Sequence, residues 1–366
     1  MRILFIEPYD GGSHRAFRES LTARSAHAIT SLTLPARFWK WRMRSAAVWF
    51  GDRIREESLG ADLILCSDYL NVADLRGLLP PPLDRAPVVQ YMHENQLTYP
   101  LSPDESFDYH FGFTNILSCL AADRTVFNSA FHRDLFLGAV DGFLGRMPEA
   151  VPRDVRDRIA ARSTVLPVGI DRAPRPLQAP DPVLGRRAGP PVILWNHRWE
   201  FDKRPEWFAS SLMDLADEGL EFRVRLLGEE RQRDEVFGPL RDRLGDRVLD
   251  YGHRDDRADY EAALAASHVV VSCAAQEYFG ISVAEAIHAG CHAVLPREQV
   301  YPSLYGDRCP GDHFYDGPDG LTALLRRVVR GEAAHVCSLP ARCDAFCWER
   351  LAPRYDALFT ALAEGV

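Results

Sequence analysis

The chain has 366 residues, enough for two domains of ordinary size, with 46% hydrophobic and 26% charged residues, as in a soluble globular protein. A formal net charge of −9 excludes a surface coated for nucleic acid while leaving room for a local basic groove. No apolar run approaches the length of a membrane span, and Met1-Arg2-Ile3-Leu4-Phe5-Ile6-Glu7 is too short and soon too acidic for a signal peptide, so the expected location is the cytoplasm.

Arg2 to Glu7 is apolar and reads as a buried parallel strand. Pro8 to Ser13 reads as a turn, with Ser13 the N-cap of a helix through Arg24. A Gly11-Gly12 loop between first strand and first helix is where Rossmann-like folds bring backbone near a ligand. The third glycine of the dinucleotide fingerprint is missing, and a plain tight turn is the alternative. Ala28 to Leu34 is a second strand. Then Arg37 to Arg44 sets four basic residues (Arg37, Lys40, Arg42, Arg44) among three rings (Phe38, Trp39, Trp41), before a helix through about Leu59. Interleaved cations and rings suit a phosphate backbone with unstacked bases; an amphipathic helix start with its rings on the core is the alternative.

Asp62 to Cys66 is a third strand, Leu70 to Leu78 a short helix, and Pro80-Pro81-Pro82 a loop. Pro87 to Met92, a fourth strand, runs into His93-Glu94-Asn95-Gln96. Polar residues at a strand's C-terminal end occupy the ligand edge of an open α/β sheet, so His93 is read as functional. Tyr109 to Ala122 is a helix and Thr125 to Asn128 a strand, with Asn128-Ser129 starting another helix. Arg153, Arg156, Arg158 and Arg162 form a basic cluster, read as a solvated face with an RNA role as the alternative. Residues 173–191 are a proline-rich linker.

Val192 to Trp195 restarts the strand pattern and leads to Arg198 and Lys203, five apart. The fork of one and the mobile point charge of the other can bracket a diphosphate; a solvated loop is the alternative. Helices 206–218, 234–244 and 257–266 alternate with strands Phe222–Leu227 and Val248–Tyr251, which makes a second doubly wound domain. His268 to Val271 is a short buried strand, and Ser282 to Ala289 a helix. Between them Glu277, Phe279, Gly280 and Ile281 open that helix, whose N-terminal N–H groups and dipole are a seat for phosphate. Glu277 on the loop and Glu285 one turn into the helix can reach sugar and ribose hydroxyls; two solvated glutamates are the plainer reading. Ala293 to Pro296 is another strand, and a last helix covers about 345–364. Cys66, Cys119, Cys273 and Cys291 fall in apolar settings and are expected in the core. Cys337, Cys343 and Cys347 cluster at a spacing that fits no standard zinc pattern.

Glu277 and Glu285, with Phe279-Gly280 between them, and the Arg198…Lys203 pair resemble the motifs of retaining glycosyltransferase family 4, of GT-B fold. More particular stretches are Glu7-Pro8-Tyr9 with Gly11-Gly12-Ser13-His14, Trp39-Lys40-Trp41-Arg42-Met43-Arg44, Tyr91-Met92-His93-Glu94-Asn95-Gln96-Leu97 and Trp195-Asn196-His197-Arg198-Trp199-Glu200. Across nearly the whole chain these resemble the glycosyltransferase-like domain-containing group whose animal members are tRNA-queuosine α-mannosyltransferases.

The resemblance implies an α/β GT-B fold: two Rossmann-like doubly wound domains facing a central cleft. The first would be an acceptor-binding domain of residues 1–172 and the second a nucleotide-sugar domain of 192–344, with the helix of 345–366 crossing back to the first. It implies a retaining hexosyltransferase, GDP-mannose as donor and the cyclopentenediol of queuosine in a tRNA for aspartate as acceptor. Another nucleotide sugar with a lipid, glycan or small-molecule acceptor is the alternative. Donor contacts would come from Gly11, Gly12, Arg198, Lys203, Glu277, Phe279, Gly280, Ile281 and Glu285, with His93 lining the sugar pocket. His14, Asn95, Asn128 and the Arg37–Arg44 run would meet acceptor or tRNA. No convincing Asp-x-Asp stands at a strand end, so neither metal nor cofactor is expected in the reaction, and no membrane partner.

Overall fold

A computed structural model describes residues 1–101, 106–171, 189–228, 234–306, 312–333 and 338–365. Most of the expected linker, and Cys337, lie outside the described residues. The chain divides into two compact units, Met1–Gly169 with Trp348–Val366, and Ile170–Cys347.

The first unit has strands β1 (Arg2–Asp10), β2 (Ala28–Pro35), β3 (Leu63–Ser67), β4 (Val88–Met92), β5 (Arg124–Phe127) and β6 (Ser163–Val165). They form one parallel sheet in the order β2-β1-β3-β4-β5-β6. Its helices are α1 (Gly12–Arg24), α2 (Trp39–Glu56), α3 (Val72–Leu78), α4 (Tyr109–Ala121), α5 (Ala130–Leu144) and α6 (Val155–Ala160). The central strands β3 and β4 are buried throughout, which is why they read as mostly apolar runs. One core packs α2 and α3 against the sheet through Phe50, Ile54, Leu70 and Leu75; another packs α4 and α5 through Ile116, Phe136 and Val140.

The second unit has β7 (Val192–Asn196), β8 (Arg223–Leu227), β9 (Val248–Gly252), β10 (Val269–Val271), β11 (His292–Pro296) and β12 (Phe314–Tyr315), in the order β12-β11-β10-β7-β8-β9. Its helices are α7 (Pro205–Asp217), α8 (Asp234–Leu244), α9 (Arg257–Ala265), α10 (Ile281–His288), α11 (Tyr301–Tyr305), α12 (Gly317–Val329) and α13 (Leu339–Cys343). Trp195, Phe208, Leu212 and Phe237 form the centre of its core with Leu321, Leu325 and Val328.

Helix α14 (Trp348–Ala363) belongs to the first unit. Its Trp348 and Tyr355 pack on Phe17, and the Tyr355 hydroxyl donates to Pro167 O at 2.9 Å. Asp356 accepts from Ser25 Oγ at 2.5 Å and Ala26 N at 2.9 Å. A Cβ at Gly169 would collide with the Trp348 ring, so only glycine lets the indole lie there. Each buried ring of this helix stabilises its docking by about 1.5–3 kcal/mol.

Three local expectations need correction. Strand β1 does not stop at Glu7 but runs through Pro8 to Asp10, because a register shift between Glu7 and Asp10 lets proline sit in the strand without a ladder bond. Consequently α1 is capped by extended Gly11, and Ser13 lies inside the helix. The last helix begins at Trp348 after a 3-10 turn over Asp344–Phe346.

Candidate active site

Loops diverge most where a parallel sheet changes its direction of winding, and ligands bind at the strand C-terminal ends there. In the second unit that point lies between β7 and β10. The loop after β7 carries Arg198 and Lys203; the loop after β10 carries Glu277 and Gly280. The fold thus brings together residues more than 70 positions apart.

Lys203 is buried. Its Nζ donates to Gln276 O at 2.9 Å and pairs with Glu277 Oε2 and Asp202 Oδ2, each at 3.2 Å. Burial pushes its pKa down, but the two carboxylates outweigh that, and the net shift is upward. Burial pushes Glu277 up, and Lys203 and then His197 pull it below the ordinary value. The pair is therefore an ammonium and a carboxylate held with little water. Burial and the Lys203 charge take His197 to about 4, so its ring is neutral.

Glu277 Oε1 accepts the Gly280 N–H at 3.0 Å, closing a tight loop in which Gly280 has φ 77. That amide, expected at a diphosphate, is engaged by Glu277 here. The first helical N–H groups, from Ile281 onward, are those α10 itself leaves open. Phe279 packs edge-on against Phe346, 5.2 Å between centroids. Arg198 is half exposed, pairs with Glu200 at 3.2 Å, and stands close enough for its charge to act on Lys203.

Glu285 lies on α10 with both carboxylate oxygens engaged: Arg257 Nη2 donates to Oε1 at 2.7 Å and the Tyr260 hydroxyl to Oε2 at 3.1 Å. Asn196 Nδ2 in turn donates to the Tyr260 oxygen at 3.2 Å. Burial raises the Glu285 pKa, against the pull of Arg257. Arg257 and Tyr260 were not singled out in the sequence; their only signal there is a helix start at the next strand's end. Arg257→Ala would leave Glu285 without its counter-charge, so the Michaelis constant for a nucleotide donor should rise about tenfold, a loss of about 1.4 kcal/mol, with kcat little changed. An unaltered Michaelis constant in initial-rate kinetics removes Arg257 from the site.

In the first unit winding reverses between β1 and β3. Glu7, fully buried within β1, accepts from Ser67 Oγ at 2.8 Å and Tyr9 N at 2.9 Å; its other oxygen lies 3.2 Å from His14 Nδ1. Burial disfavours charge on His14, but Glu7, Asp68 and Glu94 win, and its pKa is raised to about 9. The His93 ring lies 4.0 Å from that of His14, tilted by 30°. Burial first, then the His14 and His132 charges, push His93 far down, so it is neutral. Its Nε2 has no hydrogen-bond partner among the described residues. Asp68 Oδ1 accepts the His93 N–H at 3.1 Å; burial lifts this carboxyl to about 7 while His14 restrains it. The Tyr69 hydroxyl donates to Glu94 Oε1 at 2.5 Å. A neutral imidazole nitrogen beside an imidazolium and carboxylates can exchange hydrogen bonds with a hydroxyl-rich ligand. Glu7, His14 and His93 also present donor atoms within 4.8 Å of one another. Rings lying face to face do not converge on one ion, and the His14 cation is already paired with Glu7.

Gly11 and Gly12 open α1 beside this cluster in sequence, Gly11 packed against Ala36 and Gly12 facing open space. Asn95 Oδ1 accepts from Leu97 N and Thr98 N at 3.0 and 3.1 Å, so its amide holds its own loop. Asn128 donates to His93 O at 2.9 Å and accepts from the His132 ring at 2.9 Å. Both amides shape the site from inside. Helix α2 starts within the basic–aromatic run. Phe38, in a left-handed conformation at φ 55, is 72% exposed and Trp41 61% exposed. Trp39 instead packs on Phe111 and Tyr69, and Lys40 lies over the Trp39 ring. Arg37 and Lys40 are exposed, Arg42 is partly covered near Pro35 O, and Arg44 donates to Asp108 at 2.9 Å. Of the three rings in this run, one packs on the core and two stand in solvent among cations.

A sequence model of the family described as tRNA-queuosine alpha-mannosyltransferase N-terminal matches residues 2–170. The chain is 34% identical over 334 residues, 90% of its length and 87% of the relative's, to the tRNA-queuosine alpha-mannosyltransferase of Drosophila melanogaster. It is 27% identical over 224 residues, 58% of its length and 56% of the relative's, to a GDP-mannose-dependent alpha-(1-6)-phosphatidylinositol dimannoside mannosyltransferase of Mycobacterium tuberculosis. Among solved structures it is similar to sucrose-phosphate synthase from Thermosynechococcus elongatus, with TM-score 0.71, 15% identity and full coverage of both chains. It is also similar to Anabaena HepE with UDP and glucose, with TM-score 0.65, 16% identity and full coverage of both chains. At such identities the likeness is one of fold, the two-domain α/β class of GT-B glycosyltransferases.

Proposed function

Because the chain belongs to the tRNA-queuosine α-mannosyltransferase family, we propose that it transfers mannose from GDP-mannose to the cyclopentenediol of queuosine in a tRNA, with retention at the anomeric carbon. The observation that carries this reading is the buried Lys203–Glu277–Asp202 cluster at the winding reversal of the second unit, beside the N-terminus of α10. The choice of GDP-mannose draws on a relative whose dependence on that donor is part of its name.

In this reaction the bond from the anomeric carbon to the diphosphate breaks, and the acceptor oxygen bonds the same carbon from the same face. The acceptor proton passes to the departing diphosphate. Lys203, Arg198 and the first amides of α10 stabilise charge growing on the leaving group, in a setting that needs no reorganisation. Glu277, fixed by Lys203 and the Gly280 amide, orients the sugar, and Glu285 with Arg257 holds the ribose. The neutral His93 Nε2 takes a sugar hydroxyl. These cations do the neutralising that a divalent ion does in metal-dependent transferases, so adding Mg²⁺ or Mn²⁺ after chelation should leave the initial rate unchanged. A rate that rises with either ion overturns the metal-independent step.

The test is mass spectrometry of nucleosides from queuosine-containing tRNA incubated with the protein and a panel of sugar nucleotides. A hexose on queuosine with GDP-mannose alone supports the proposal. A hexose from another donor revises the sugar, and no addition alongside hydrolysis of one donor moves the acceptor elsewhere.

The start of α2 supports the RNA part, since Phe38 and Trp41 offer faces for unstacked bases among Arg37, Lys40 and Arg44. Trp41→Ala should weaken tRNA binding by about 1–3 kcal/mol. Lys40→Ala should lower the salt dependence of binding by about one phosphate contact. Binding titrations across a salt series check both, and unchanged affinity and slope place the RNA on another face.

A further inference from the structure

The loop after β10 holds a polar side chain to which the transfer step gives no part. Gln276 is 6% exposed, and its Nε2 is buried with no hydrogen-bond partner among the described residues. The bond this residue does make runs through its carbonyl, which accepts from Lys203 Nζ at 2.9 Å. We propose that the Gln276 side-chain amide binds a hydroxyl of the donor's hexose and so selects which hexose is carried, an assignment that rests on the nucleotide-sugar reading of this unit.

The backbone on both sides of Gln276 is pinned. Ala275 N donates to Asp202 O at 2.7 Å, and Glu277 accepts the Gly280 N–H at 3.0 Å. The polar groups nearby serve one another. The three protons of Lys203 Nζ go to the Gln276 carbonyl, Asp202 and Glu277. Ser272 Oγ pairs with the Tyr301 hydroxyl at 2.7 Å, and the Tyr315 hydroxyl donates to Ser272 O at 2.8 Å. A buried amide without a partner is destabilising, and protein interiors pair nearly all such groups. An orphaned amide one residue from a preorganised charge pair is therefore a group kept for a ligand.

The chemistry of the amide names the part of the ligand it meets. Phosphate oxygens only accept and carry charge; Lys203, Arg198 and the open N–H groups of α10 suit them. A ribose falls to Glu285, which Arg257 and Tyr260 hold on α10. An uncharged amide donates at one end and accepts at the other, and a sugar hydroxyl does both, so either end can meet it. The side chain of Glu277, the next residue, is 18% exposed, so the opening to solvent lies one residue along the loop. A hexose that lacks the hydroxyl, or turns it away, leaves the buried amide unmet and binds worse. In sequence Gln276 passes for one more polar loop residue beside Glu277.

The experiment measures donor affinity by calorimetric titration of the full chain without tRNA. GDP-mannose is compared with four analogues that lack the sugar hydroxyl at position 2, 3, 4 or 6. Both the parent and Gln276→Met, which keeps the length of the side chain but not the amide, are titrated. One deletion should weaken binding to the parent by about 10- to 100-fold and to the variant by less than about threefold, while the other three cost both proteins alike. In the absence of donor, Gln276→Met should melt no lower than the parent, since no bond within the protein is lost. Equal costs in both proteins for every deletion overturn the proposal, as does a variant that melts lower or fails to fold, the mark of an amide held by the protein itself. A parent indifferent to all four deletions overturns it without any variant. Because the readout needs no acceptor, it stands whether or not queuosine is the acceptor. Failure of GDP-mannose to bind overturns the choice of donor and this assignment with it, whereas binding with equal costs overturns Gln276 alone.

Discussion

Lys203→Ala should lower kcat/KM for transfer by about 100- to 1,000-fold, the loss found when one preorganised donor is removed from developing negative charge. It should also destabilise the protein, because Asp202 and Glu277 would remain as two buried carboxylates facing each other without the ammonium that Nζ supplies at 3.2 Å to each. Breaking a buried pair in this way costs about 3–5 kcal/mol. Lys203→Arg separates the two effects. It keeps the charge but cannot place a single compact donor on Gln276 O, so stability should recover more than rate. Steady-state kinetics and denaturant melts on the three proteins check this, and undiminished turnover in a folded Lys203→Ala protein sinks the diphosphate assignment.

Alkaline pH should loosen the first unit. The His14 pKa is raised from 6.5 to about 9 in the folded chain. The stabilisation is therefore fully present below about pH 6.5 and is lost as pH rises through about 9, amounting to about 3 kcal/mol. Asp68, raised to about 7, adds its own loss of stability up to about pH 7, and His93 is neutral throughout, so the fall between pH 8 and 10 is the part that His14 supplies. Denaturant melts at pH 6, 8 and 10 should show stability falling in the parent and a flatter profile in His14→Gln. Parallel profiles would show that the Glu7 contact does not hold the proton.

The βα alternation was legible because buried parallel strands are mostly apolar runs, as β3, β4, β7 and β10 are. Helix α12 was equally legible, since its buried Leu321, Leu324, Leu325 and Val328 follow the helical period, although it is not among the elements expected above. At the site, Lys203 stood out as one of two lysines among 43 basic residues. Glu277 and Glu285 stood out by their place after a strand. Their partners did not. Asp202, Gln276, Arg257 and Tyr260 acquire meaning only when strand order sets β7 beside β10, and Glu7 and Asp68 only when β1 lies beside β3. Asn95 and Asn128 look like ligand contacts in one dimension because the sequence does not reveal that their amides are satisfied locally.

The chain enters the second unit at Ile170 and leaves it at Cys347, and these two residues are bridge partners, with the Ile170 N–H bonded to Phe346 O at 2.9 Å. In chain terms that unit is an insert whose two ends are already side by side. Excised, it could be closed into a ring by a short splice with no strain on its sheet. Exchanged for the matching piece of another protein of this fold, it would join an untouched first unit through only two junctions.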